Sequence, residues 1–269
     1  MKNFEISQRH ACKLVDVSRT VFRYAPKWSE LNEKIRRRMR ELAGAHKRMG
    51  LWQMVRIIRR EQGTVNHKRI ERLYRLEGLA LSVRRRKKLK SVARLELPVP
   101  TKRNERWSMD FVQDKLWNGR RFRCLNIVDM FTRQCLAIEV DTSIGGMRVK
   151  RVLERLVEDY GKPETITVDN GPEFISQHVD EWSYRTGVKL AFIRPGKPIE
   201  NAYVESFNGK FRDKCLNTHY FSTLQDAREK ISRWRDEYNN FIPHRSLNGL
   251  TPQEFATHNS TEKLSLQLA

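Results

Sequence analysis

The chain has 269 residues, with 53 Lys and Arg against 32 Asp and Glu, a formal net charge of +21. A hydrophobic share of 39% excludes wholesale disorder, and the length suits a catalytic domain of about 150 residues beside a smaller one. No apolar run nears the roughly 20 residues of a membrane span, the start MKNFEISQRHACKLVDVSR lacks a secretory apolar stretch, and Cys12, Cys124, Cys135 and Cys215 are too scattered for a disulfide framework or a zinc site.

The charge is unevenly placed. Residues 1–100 hold 27 basic and 9 acidic residues; the remainder holds 26 and 23. A concentrated basic region gathers polyanions and makes salt-dependent phosphate contacts, which points to nucleic acid.

In chain order, residues 1–83 read as helical. Ser7 and Ser18 can cap short helices over 7–14 and 18–24, a pair with helix-turn-helix proportions. Leu31, Ile35, Met39 and Leu42 recur at helical spacing. A second pair runs from Leu51 to Glu61, closed by Gly63, and from an Asn66 cap to Gly78. Its second helix sets Ile70, Leu73 and Tyr74 on one face. His67, Lys68, Arg69, Arg72 and Arg75 fall mainly on the other, the pattern of a groove-reading helix. Residues 84–99 form a basic linker, RRRKKLK followed by Pro98, and the domain boundary falls within 91–103.

Beyond it RWSMDFVQD, RFRCLNIVDMF and QCLAIEV read as strands of an antiparallel meander with turns at Gly119 and around Thr132-Arg133. GGMRVKRVLERLVEDYG is a helix, TITVDN a buried strand, 174–186 a helix and VKLAFIRP a strand. PGKPIENAYVESFNGKFRDKCL passes from loop to helix. The order β-β-β-α-β-α-β-α makes 100–258 an α/β domain with a mixed sheet and flanking helices, ending in a C-terminal helix, with 259–269 as a tail.

Three acids stand out. Asp110 lies in a strand among large apolar residues, Asp169 ends another strand before Gly171-Pro172, and Glu205 sits on a helix. A strand carboxylate in such surroundings is costly unless paired or bound to a cation, and such a set suits hard divalent ions. Asp114, Asp129 and Glu173 read as structural acids, and Glu200 is offset from the helical face of Glu205. Asn201, Glu205, Asn208 and Arg212 share that face.

These motifs resemble the catalytic core of DDE transposases, similar to retroviral integrases and of ribonuclease-H-like fold. The resemblance rests on Trp107-Ser108-Met109-Asp110, on Val168-Asp169-Asn170-Gly171, and on Glu200-Asn201-Ala202-Tyr203-Val204-Glu205-Ser206-Phe207-Asn208. It rests also on the 35 residues between Asp169 and Glu205. Tyr238-Asn239 through Pro243-His244, Leu247, and Thr251-Pro252 with Glu254 resemble the closing segment of bacterial insertion-sequence transposases. VNHKRIERLYRLEGL resembles the helix-turn-helix region of the second-frame product of two-reading-frame elements, although KRMGLWQM departs from that family's usual glycine-tyrosine-arginine stretch.

The resemblance implies a bacterial, cytoplasmic, nucleoid-associated enzyme using two Mg²⁺ ions per site when DNA is bound, with Mn²⁺ as a substitute. Asp110 would bridge both ions, with Asp169 on one and Glu205 on the other. Water would free a 3′-OH at the element's end, and that hydroxyl would attack a second phosphodiester. Arg212, Asn201 and Asn208, with Lys197 and Lys210, would contact the terminal repeats or target DNA; Lys68, Arg69 and Arg72 are expected to contact DNA from the helical region. The implied partners are DNA, further copies of the chain and an upstream-frame helix-turn-helix protein fused to it. Two other functions stay open: a DNA-binding protein inactive alone, and a general ribonuclease-H-like nuclease.

Overall fold

The computed structural model describes residues 6–24, 29–81, 99–194 and 201–267. The predicted linker core at 84–98 lies outside them. The N-terminal helices are α1 (Gln8–Leu14), α2 (Arg19–Phe22), α3 (Glu30–Ala45), α4 (Leu51–Gln62) and α5 (His67–Leu76). Ser7 and Ser18 accept the His10 and Val21 N–H groups, so both predicted caps form. Asn66 accepts from Lys68 N–H at 2.9 Å and starts α5. Gly63 follows α4 at φ 76°, a backbone state an L side chain rarely adopts. Ile35, Met39 and Leu42 of α3 pack with Ile58 of α4 and Ile70 and Leu73 of α5 into one core, against which Phe241 and Ile242 also lie.

Strands β1 (Arg106–Lys115), β2 (Arg121–Asp129), β3 (Cys135–Asp141), β4 (Thr165–Val168) and β5 (Lys189–Phe192) form one sheet in the order β3-β2-β1-β4-β5. The first three pair antiparallel, as the meander predicts; β4 and β5 add in parallel beside β1. Side chains alternate between the two faces. Trp107, Met109, Ile166 and Val168 pack against α6 (Gly146–Tyr160) and α7 (Gln177–Thr186). Val112, Phe122 and Cys124 pack on the other face with α8 (Ala202–Lys214) and α9 (Leu224–Asn240). Helix α10 (Pro252–Gln267) continues past residue 258 into the expected tail.

Helix α7 starts at Gln177 instead of 174, because Phe174 closes a turn onto the Gly171 carbonyl and buries its ring in the core. Helix α9 is absent from the predicted elements.

Candidate active site

Asp110 and Asp169 owe their proximity to strand register. Ser108 pairs with Thr167 across the parallel β1–β4 ladder, so two residues further on Asp110 and Asp169 stand level at the end of β4. Adjacent strands are about 4.8 Å apart. Met109 and Val168 lie in the α6–α7 core, and alternation therefore turns both aspartates toward α8. Asp110 Oδ1 accepts the Phe111 N–H at 2.7 Å and Oδ2 accepts the Asn208 amide at 2.7 Å. Asp169 Oδ1 accepts the Gly171 N–H at 3.0 Å. A Cβ on Gly171 would stand 2.9 Å from that oxygen, so the glycine leaves room for the carboxylate.

Helix α8 carries Glu205 on the side of the sheet toward which both aspartates turn. Val204, Phe207 and Phe211 bury one side of the helix against the sheet, which leaves Glu205 exposed. Burial first, then the negative charges of Asp169 and Glu205, raise the Asp110 carboxyl to about 6, against the Phe111 and Asn208 hydrogen bonds. The three acids are therefore electrostatic neighbours. Among the described residues, no three His, Cys, Asp or Glu side chains are gathered round one point in a metal-ligating set.

The other expected site residues fall in different places. Asn201 is 3% exposed; Ser108 Oγ donates to it, and it docks the start of α8 on β1 instead of facing solvent. Asn208 is tied on both sides, to Asp110 and to Asn126. Arg212 is exposed and donates to the Gln113 carbonyl at 2.9 Å. Lys210 points elsewhere, 5.9 Å from the Tyr238 ring centroid in a cleft apart from the carboxylates. Lys68, Arg69 and Arg72 are exposed on α5. Lys197 lies outside the described residues. Asp129 accepts from the Asn104, Phe131 and Thr132 backbones, a structural turn as expected. Glu173 pairs with Arg123. Two residues of the site are not singled out in the sequence: Ser108, which stands in the Asp110 motif with no role assigned to it, and Asn126, which stands in no motif.

Residues 100–198 and 186–252 each match the family described as Integrase core domain, and 30–88 match an HTH-like domain, which covers α3 to α5. The chain is 48% identical to the insertion element IS407 uncharacterized 31.7 kDa protein of Burkholderia multivorans, across 95% of this chain and 93% of that one. It is 42% identical to the insertion element IS476 uncharacterized 39.2 kDa protein of Xanthomonas euvesicatoria, across 98% of this chain and 76% of that one. Identity to the putative transposase InsK for IS150 of Escherichia coli is 22%, across 90% and 91%. In fold it is similar to a chain of the simian T-cell lymphotropic virus intasome bound to PP2A regulatory subunit B56 gamma. The TM-score there is 0.50 at 16% identity, over 76% of this chain and 69% of that one.

An integrase core on a mixed five-stranded sheet, with a helical DNA-binding unit before it, defines a polynucleotidyl transferase of ribonuclease-H-like fold. Within that class the chain belongs to the DDE transposases of bacterial insertion sequences. Members of this family work with a divalent metal on DNA. No helix among the described residues is long and apolar enough to cross a membrane.

Proposed function

We propose that Asp110, Asp169 and Glu205 are the catalytic carboxylates of this transposase, holding Mg²⁺, or Mn²⁺ in its place, during strand cleavage and transfer at the element's ends. The carrying observation is the strand register that sets Asp110 and Asp169 level and turns them toward α8, the helix that bears Glu205 and whose Asn208 donates to Asp110. The donor set fits: carboxylate oxygens are hard ligands, and Mg²⁺ takes only one or two of them, with water and substrate phosphates completing its shell. Asp110 with Asp169, and Asp110 with Glu205, are the pairs that would hold the ions, and neither pair would need a third protein carboxylate. When bound, the ions supply Lewis acidity and charge neutralisation at the scissile phosphate.

The chain's own groups set the geometry. The Phe111 N–H and Asn208 amide fix both oxygens of Asp110, and the Gly171 N–H fixes one of Asp169. Arg212, about two turns beyond Glu205 on the same helix, keeps donors free for a DNA phosphate, and Lys197 belongs to the segment entering that helix. Lys68, Arg69 and Arg72 on the exposed side of α5 meet the terminal repeats. The working form is a homo-oligomer on DNA, with an upstream-frame helix-turn-helix protein fused to this chain.

The test is strand transfer by the full chain, alone and fused, on DNA carrying the element's ends with Mg²⁺. Asp169→Asn is expected to lose at least about a hundredfold in rate while still binding the ends. Full activity of that variant removes the metal role.

A further inference from the structure

Helix α8 has a second polar side. Ser206, Lys210 and Lys214, each four residues apart, line a cleft of about 1020 Å³ between the α3–α4 turn, α8, α9 and the segment after α9. That is at the upper end of the roughly 300–1,000 Å³ usual for ligand cavities. Eight Lys and Arg side chains line it, against one carboxylate, Glu237. Asp213 holds Arg48 at 2.8 Å and Asp226 holds Lys230 at 2.8 Å. Lys47, Arg56, Lys210, Arg233 and Arg245 form no ion pair among the described residues. Uncompensated like charges converging on a recess call for a polyanion.

Two further features describe the ligand. His244 lines the cleft, is 5% exposed, and its Nε2 has no hydrogen-bond partner. Trp52 stands in the wall with 62% of its surface exposed and stacks on His67, the first residue of α5, at 5.8 Å. Cations spread along a groove with an exposed aromatic ring are the makings of a single-strand site, where phosphates meet the charges and a base stacks. A free anion would use the charges and leave Trp52 idle. The Trp52–His67 stack also joins the cleft to the start of the basic helix α5.

We infer that this cleft is a DNA site separate from the carboxylates, taking the phosphodiesters of an unpaired strand and stacking one base on Trp52. The inference does not rest on the metal assignment, and an Asp110→Asn protein is expected to keep it.

The experiment uses the full chain without metal and a fluorescein-labelled oligothymidylate of about 12 nucleotides, within the usual site size, read by anisotropy across a salt series. Lys47 and Arg233 are exposed, so Lys47→Glu with Arg233→Glu is expected to fold normally, checked by circular dichroism. It should weaken binding roughly tenfold and flatten the salt dependence. Trp52→Ala should weaken binding severalfold, and the oligothymidylate should quench tryptophan fluorescence in the unaltered chain but not in this variant. Unchanged affinity in both variants overturns the inference. So does blunt duplex binding as tightly with the same sensitivities, or tripolyphosphate displacing the strand at matching concentration. Loss of strand transfer in Asp110→Asn with oligothymidylate binding retained separates this site from the catalytic one.

Discussion

Both ends of the Asn208 amide are committed. Nδ2 donates to Asp110 Oδ2 and Oδ1 accepts from Asn126 Nδ2, each at 2.7 Å. Asn126 is fully buried, so removing its acceptor leaves a buried donor unpaired, at a cost of about 1–3 kcal/mol. Asn208→Ala is therefore expected to lower stability by that amount in chemical denaturation. It should also lower strand transfer on the order of a hundredfold, because Asp110 loses the group that fixes it. Adding Asn126→Val should recover the stability without the activity; full activity of Asn208→Ala would mean that Asp110 needs no such support. Motif and spacing single out Asp110, Asp169 and Glu205 in the sequence, and the β1–β4 register sets the two aspartates level. Asn126 is not singled out in that way. In NIVDMF it looks like any strand residue, and its value comes from lying opposite Asp110 in the antiparallel ladder. Likewise, Asn201 shares a helical face with Glu205 in the sequence, yet at the start of α8 its side chain accepts from Ser108 of β1, a contact only the packed sheet provides.

Elements whose periodicity is set by the sheet's two faces were readable in type and order, with the ends of α7 and β5 displaced, because alternation and helical stripes report burial directly. Helix α9 carries such a stripe too, Ala227, Ile231, Trp234 and Tyr238, but it is diluted by charged neighbours in DAREKISRWRDEYNN. Close approach between elements leaves no periodic signal at all. Gly146 opens α6, and a Cβ there would fall 2.0 Å from Ser176 Oγ and 2.5 Å from Ser176 Cβ, at the cap of α7. The Glu173 carbonyl would be 3.3 Å away. Gly146→Ala must therefore push α6 and α7 apart, at about 1–3 kcal/mol for an overpacked contact. Ser176→Gly removes the obstructing atoms, so the double variant is expected to recover most of the loss. Equal thermal midpoints for Gly146→Ala and the parent would show that the helix starts yield without cost.

Across the whole molecule, the helical unit is fastened to the integrase core at several points. Arg60 donates to the Gly249 carbonyl at 2.8 Å and to Glu254 at 2.9 Å, Lys214 donates to Gln53 at 2.8 Å, and His46 lies 3.3 Å from Glu237. His244 stands behind this junction. Its N–H donates to the Leu250 carbonyl and its own carbonyl accepts the Gly249 N–H, so it shapes the loop that receives Arg60. Its ring packs edge-on to Tyr238 at 4.7 Å. Burial, then the charges of Lys210 and Lys214, hold the imidazole down to about 3, despite a hydrogen bond to the Tyr238 backbone. An unfolded histidine titrates near 6.5. Above that value both states are neutral and His244 adds no pH dependence. Between about 6.5 and 3 only the unfolded chain takes up the proton, so stability falls as pH falls, by about 1.4 kcal/mol per unit. From neutrality to about pH 5 this one residue should contribute roughly 2 kcal/mol of acid destabilisation. Chemical denaturation at about pH 7.5 and pH 5 measures it: His244→Asn is expected to start less stable and to lose less on acidification than the parent. Parallel pH profiles for the two proteins would place the acid-sensitive proton elsewhere, and His244 would then be a packing residue whose charge state folding does not feel.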